Sequence, residues 1–241
     1  MLTIDFRHFP LRDGDCVLDL GCGEGRHAIN IYLQANVTAI GVDLSARDLH
    51  TARERFVPFE TSDNAQKSFY LQVADATHLP FTDNTFDKIV CSEVLEHLPD
   101  YQMVLTEIRR VLKPDGLLAV SVPRAWPEKI CWCLSSAYHQ VAGGHVRIFN
   151  ARYLRREIET QEFQFLTRHW AHALHSPFWW LKCLWWNTQE QSRLIRWYHR
   201  LLVWDLMQRP WITRILEECL NPLLGKSVVM YFQLRSDSQS L

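Results

Sequence analysis

Apolar and polar positions along this 241-residue chain alternate in two rhythms. Short apolar runs of strand length are followed by segments whose apolar residues recur every three to four positions. Residues 15–20, 37–42, 69–73, 86–91 and 117–122 read as strands, and 25–35, 45–58 and 99–112 as the helices among them. In the third helix, Val104, Leu105, Ile108, Val111 and Leu112 line one face. Ser45, with Asp48 three residues on, is a weak capping box, and Pro99 opens the third helix. Thr82-Asp83-Asn84 and Pro114-Asp115-Gly116 are turns, and 60–68 is a polar loop. Regular strand–helix alternation implies a parallel sheet with helices on both faces.

Beyond Pro123 the rhythm changes. Asn150 caps a helix over 151–160, Phe163 to Trp170 is a sixth strand, and Ser227 to Leu234 a last one. Residues 1–13 are expected to be a partly helical lead-in covering the pocket edge, and 236–241 a loose polar tail. Two stretches, 124–149 and 176–225, interrupt the pattern. From Arg168 to Arg214 there are seven Lys/Arg, two Asp/Glu and eight of the ten tryptophans. A helix over 191–208 is expected to place Leu194, Trp197, Tyr198, Leu201, Leu202 and Trp204 on one face, with Arg193, Arg196 and Arg200 opposite.

The most informative stretch is Asp19-Leu20-Gly21-Cys22-Gly23-Glu24-Gly25. It follows an apolar strand and opens into a helix, the order in which a Rossmann-like sheet builds a ligand cradle. Glycines let the backbone turn tightly and a ligand come close. The following helix offers N–H groups to an anionic group. Asp43, ending the next strand, suits a grip on a ribose diol.

At these residues the chain resembles the class I S-adenosylmethionine-dependent methyltransferases (methyltransferase type 11-like). Asp-Leu-Gly-Cys-Gly-Glu-Gly is similar to their first motif, and Gly41-Val-Asp-Leu-Ser45 to the segment after it. Val73-Ala-Asp-Ala76, Phe86-Asp-Lys-Ile-Val90, Glu93-Val-Leu-Glu-His-Leu98 and Leu112-Lys-Pro-Asp-Gly116 follow in order. The resemblance is dense over 11–123, looser over 144–173, and returns near 226–235. It implies one α/β domain over 1–241: a Rossmann-like, doubly wound, seven-stranded, mostly parallel sheet with an antiparallel last strand. A helical Trp-rich insertion precedes that strand, and 124–149 and 176–225 serve as lid and substrate insertions.

It also implies S-adenosyl-L-methionine as methyl donor. Asp43 and Leu44 would serve the ribose, and Asp75 with the Ala76 backbone the adenine edge. Asp19, Gly21, Cys22, Gly23 and Gly25 would serve the amino-acid end, and Cys91 and Ser92 the methionine part through backbone carbonyls. The expected reaction is in-line methyl transfer to oxygen, nitrogen or carbon of a small molecule, lipophilic or aromatic by the Trp-rich insertion. The alternative is a non-catalytic module that keeps the donor pocket and holds a partner through the insertion.

His97 and His145 are the candidates for proton chemistry, since an imidazole takes a proton near neutral pH; the plain alternative is that they pin loops. Arg147 is a candidate grip for an anionic group. His169, His172 and His175, three apart on a strand-like segment, are not expected to share a face. No metal is assigned. Glu93 and Glu96 read as solvent-facing or loop-ordering.

The formal net charge of −1 gives no reason to expect nucleic acid. The start of the chain has no cationic segment followed by an apolar run. Seven scattered cysteines fit a reducing compartment better than a disulfide framework. The expectation is therefore a cytoplasmic protein. The alternative for the insertion is an amphipathic patch resting on a membrane surface.

Overall fold

A computed structural model of the chain describes residues 2–60, 66–141, 143–208 and 210–236. Its strands are β1 (Cys16–Leu20), β2 (Thr38–Asp43), β3 (Ser68–Val73), β4 (Phe86–Ser92), β5 (Leu112–Pro123), β6 (Phe163–Ala171) and β7 (Ser227–Leu234). They form one sheet in the order β3-β2-β1-β4-β5-β7-β6. β1 to β5 run parallel, and β7 is antiparallel to both β5 and β6. This is the expected doubly wound sheet.

Helices α1 (Arg26–Gln34), α2 (Ala46–Phe56), α3 (Tyr101–Val111) and α6 (Ala151–Glu159) connect these strands. The apolar stripe read from 99–112 is the buried face of α3. Ser45 Oγ accepts from Asp48 N at 3.2 Å, and Asn150 Oδ1 from Arg152 N at 2.9 Å. Both expected caps are formed. The core has two halves, one on each face of the sheet. Leu18, Ile89 and Leu118 pack against α3 and α6 on one side, and Val17, Val90 and Val229 against α1 on the other. Such strands, buried on both faces, read as continuous apolar runs.

Several boundaries shift. β5 starts five residues before the expected 117. Pro114–Gly116 becomes an excursion within it: Phe86 pairs with Leu112 but Lys88 with Leu117, and Asp115 takes φ 62°. The lead-in forms no helix among its described residues. It inserts Ile4 and Phe9 into the core instead, and Asp5 N donates to Tyr231 Oη at 2.8 Å. Of the expected polar loop, 61–65 lie outside the described residues, as do 237–241 of the tail.

The two interruptions are helical and fold onto each other. The first holds α4 (Ala125–Leu134) and α5 (Ser136–Gln140). The second holds α7 (His175–Leu184), α8 (Arg193–Gln208) and α9 (Trp211–Leu224). Cys131, Tyr138 and Cys183 form a small core under Trp132, Trp179, Trp180 and Trp186. Trp180 Nε1 donates to Pro127 O at 3.1 Å. The expected facing of α8 is overturned. Ile195, Leu202 and Asp205 point inward, while Leu194, Trp197 and Trp204 lie outside with Arg193, Arg196 and Arg200. With apolar residues all round, the helix turns inward the stripe that meets Phe178 and Trp179 of α7. Among the described residues, no helix is long and apolar enough to cross a membrane.

Candidate active site

The Gly-rich loop lies between β1 and α1. Gly21, Gly23 and Gly25 have φ of 70°, 50° and 81°, the left-handed region that costs any residue with a Cβ. A Cβ on Gly21 would lie 2.3 Å from Val94 Cγ2. A Cβ on Gly25 would lie 2.9 Å from Ala52 Cβ, whereas one on Gly23 would meet nothing within 4 Å. Two of these glycines thus admit packing neighbours, and the third leaves an open space above the loop.

The loop is bound tightly to the next strand. Gly21 N and Cys22 N both donate to Val42 O, at 2.7 and 2.9 Å, and Gly25 N donates to Cys22 O. Gly23 N donates to Asp43 Oδ2 and Ser45 N to Asp43 Oδ1, each at 2.8 Å. The amide cradle expected for an anionic group is therefore spent inside the protein at these four positions. Asp43 is fixed in place with further lone pairs on both oxygens. The neighbouring Leu44 side chain is 74% exposed.

Asp19 is 1% exposed. Its Oδ2 accepts from Ala28 N at 2.8 Å, capping α1 where Gly25 has no side chain to do so. Its Oδ1 is buried with no partner among the described residues. Burial pushes this carboxyl up to about 7. Asp75 is exposed, one strand beyond Asp43. Its Oδ1 accepts from Thr77 N and Thr77 Oγ1, both at 2.8 Å, and these bonds lower its pKa. Ala76 follows at the same strand end. Cys22 and Cys91 turn their sulfurs into the interior, and Ser92 Oγ pairs with Ser121 Oγ at 2.8 Å. These three can serve a ligand through backbone groups.

Beside the loop opens a cleft of about 280 Å³, lined by Arg26, Glu93, His145, His175, Trp179 and Lys226, among others. Arg26 starts α1 and Glu93 follows β4. The cleft thus lies at the carboxyl ends of the strands, where open α/β sheets bind ligands. His145 Nδ1 is 2.6 Å from Glu128 Oε1, and Glu128 also accepts from Trp132 Nε1 and Tyr138 Oη. Burial pushes the Glu128 carboxyl up, but the hydrogen bond and charge of His145 hold it below its ordinary value.

The His97 ring lies 4.9 Å from that of His145, with its Nδ1 3.3 Å from Gly144 O. Burial, and then the charge of His145, lower its pKa. The two imidazoles singled out by sequence thus meet in space, 48 positions apart.

Other expectations are corrected. Glu96 does not face solvent: it is completely buried, and neither carboxylate oxygen has a partner among the described residues. Arg147 is held by the chain itself, though its Nε is buried with no partner among the described residues. It donates to Pro99 O at 2.6 Å and lies 4.6 Å from the centre of the Tyr101 ring. His172 and His175 do meet, with ring centres 5.6 Å apart, because β6 ends at Ala171 and His172 turns the chain at φ 66°. Glu128 and Lys226 were missed by sequence reasoning. Their only signal is position: one in the first turn of a helix after β5, the other just before β7.

The family model for the methyltransferase domain matches residues 11–182. α8, α9 and β7 lie beyond that segment. "Methyltransferase GfsG" of Streptomyces halstedii is 37% identical over 116 residues, 48% of this chain and 40% of that protein. "Demethylmenaquinone methyltransferase" of Lactobacillus johnsonii is 37% identical over 132 residues, 53% of this chain and 52% of that one. The chain thus spans about half or less of these curated relatives. A SAM-dependent methyltransferase from Methanosarcina mazei superposes with a TM-score of 0.62 at 15% identity, covering 98% of this chain and all of that one. The chain belongs to the methyltransferase domain family, with the class I fold of the S-adenosylmethionine-dependent methyltransferases.

Proposed function

We propose that this protein transfers a methyl group from S-adenosylmethionine to oxygen, nitrogen or carbon of a small lipophilic or aromatic molecule held in the cleft beside the Gly-rich loop. The observation that carries this reading is the adjacency of two half-sites. One is a loop with open space over Gly23 and a buried, unpartnered Asp19 Oδ1; the other is a cleft that presents the carboxylate-supported His145. S-adenosylmethionine fits the first: its ammonium would satisfy Asp19, which no other described group does. Bound there, it supplies a methyl group on a cationic sulfur.

The chain's own residues do the rest. Asp43 would accept from the ribose hydroxyls and Asp75 from the adenine amine beside the Ala76 backbone. Leu44 would give the adenosine an apolar contact. Carbonyls of Gly21, Cys22, Gly23 and Gly25, and of Cys91 and Ser92, would border the methionine end. Because the donor is already activated, positioning and exclusion of water carry most of the catalysis. The two insertions, over 124–149 and 176–225, would act as the lid. The acceptor's nucleophile would be activated at the His97–His145 pair, where Glu128 holds His145 at Nδ1.

A lipophilic acceptor suits the Trp-rich insertion, and the outer face of α8 and α9 suits peripheral contact with an anionic membrane from the cytoplasmic side. Trp197, Trp204, Met207, Trp211, Ile212 and Ile215 are exposed there, among Arg193, Arg196, Arg200 and Arg214. Interfacial helices combine these residue types.

Calorimetric titration of S-adenosylmethionine into the wild type and Asp43→Ala tests the donor reading. Binding that is lost in the variant supports it, and absence of wild-type binding overturns it.

A further inference from the structure

Glu96 sits where an acid should not. It is fully buried in the short turn after β4, with both oxygens unpartnered among the described residues. A buried carboxylate without donors is costly. Burial, and then Glu93, push its pKa well up, Glu128 adds to this, and its own backbone N–H and Lys226 oppose it. Glu93 holds a left-handed φ of 58° and lines the cleft.

Imidazole nitrogens fill the space beside it. His97 Nε2 is 4.0 Å from Glu96 Oε1, and ligand atoms of Glu96, His97 and His145 all lie within 4.8 Å of one another. Both rings are held at Nδ1, His145 by Glu128 and His97 by Gly144 O, which leaves Nε2 of each available. An acceptor on the far nitrogen is the usual support of a metal-bound histidine. Ligand bonds of about 2.1 Å require the three groups to draw in by roughly an ångström.

We propose that Glu96, His97 and His145 bind one divalent transition-metal ion, oriented by Glu128 and the Gly144 carbonyl, and that this ion holds and acidifies a hydroxyl oxygen of the acceptor. Two imidazoles and a carboxylate suit zinc, cobalt, iron or manganese better than magnesium or calcium. The ion keeps open positions toward the cleft for an alcohol or phenol oxygen, whose proton leaves to solvent. No free imidazole base is then needed, and oxygen becomes the methylated atom. His145 comes from the insertion over 124–149 and His97 from the turn after β4, so the ion also pins one to the other. This inference deepens the methyltransferase reading and rests on it for the acceptor.

A second trio, His172, His175 and Glu217, also brings donor atoms within 4.8 Å. There His172 Nε2 is already 3.1 Å from Thr3 Oγ1, leaving Glu217 Oε1 and His175 Nδ1 as the buried atoms without a partner among the described residues. It is the weaker candidate and serves as the control.

The test is titration of Co²⁺ into the chelator-treated 241-residue chain, followed by its visible absorption, with Zn²⁺ calorimetry alongside. One ion per chain is expected. Binding should fall at least 100-fold in Glu96→Gln and His97→Ala, about 10- to 100-fold in Glu128→Gln, and remain unchanged in His175→Ala. S-adenosylmethionine binding on the same metal-free samples shows that each variant is folded and tests the donor reading separately. No stoichiometric binding of either ion, wild-type binding in Glu96→Gln and His97→Ala, or loss in His175→Ala overturns the proposal.

Discussion

A hydrogen bond of 2.8 Å joins Asp19 Oδ2 at the end of β1 to the backbone N–H of Ala28 in the first turn of α1. The aspartate caps a helix whose own N-cap residue is a glycine. Its second oxygen is buried and unpartnered among the described residues, and burial lifts its pKa from 3.8 to about 7. The folded chain therefore holds a proton that the unfolded chain has released between pH about 4 and 7. Stability contributed by this group falls as pH rises through that window and levels above it. The full effect is about 4 kcal/mol. Chemical denaturation of the free protein across pH 4–8 should show this slope, and Asp19→Asn should flatten it. An unchanged slope in the variant would refute the assignment.

Gly21 and Gly23 separate packing from binding. Gly21→Ala places a methyl group against Val94 at a positive φ and should lower stability by about 2–3 kcal/mol, seen as a drop in Tm. Gly23→Ala carries only the backbone term, about 1 kcal/mol, because no protein atom lies within 4 Å of the new Cβ. The methyl would instead enter the space assigned to the donor. Its S-adenosylmethionine Kd should rise at least tenfold, more than its Tm change would suggest. Equal effects of the two substitutions on Tm and Kd would count against this division.

Lys88 Nζ and Asp15 Oδ2 are 2.5 Å apart, both nearly buried, at the amino-terminal edge of the sheet. Lys88→Met leaves a buried carboxylate with only the Arg12 N–H as partner among the described residues and should destabilise by about 3–5 kcal/mol. The double variant with Asp15→Leu should recover part of that loss. Denaturant midpoints of both variants measure the difference; no recovery would mean that the charge left behind is not the cause.

The outer face of α8 and α9 makes a prediction of the opposite kind. Trp197, Trp204 and Trp211 are 61%, 47% and 70% exposed. Replacing all three by alanine should change stability little, within about 0.5 kcal/mol per site. It should abolish co-sedimentation with vesicles containing phosphatidylserine. Wild-type protein that ignores such vesicles would remove the membrane-contact reading and leave the methyl-transfer reading intact.

The Gly-rich loop was legible because its signal is local. Positive φ at Gly21 and Gly25 needs glycine whatever the rest of the chain does, and aspartates at strand ends fall at fixed spacings. Glu96 and Glu128 were not legible in this way. Whether a glutamate faces water or an imidazole depends on which distant segment packs over it, and Glu128 meets His145 across 17 positions. The same limit explains α8. A helix with apolar residues on several faces does not announce which face it buries until α7 is in place.

The order of strands and helices, their caps and the glycine loop were determined by the sequence alone, because each rests on periodicity or on the conformational freedom of single residues. Tertiary structure decided three further things: that the loop's amides are spent on Val42 and Asp43, that His97 and His145 close on a buried Glu96, and that the tryptophans of α8 face outward. Each depends on which distant segments share a small volume, and there burial changes the energy of a charge or an aromatic ring by more than any local preference does.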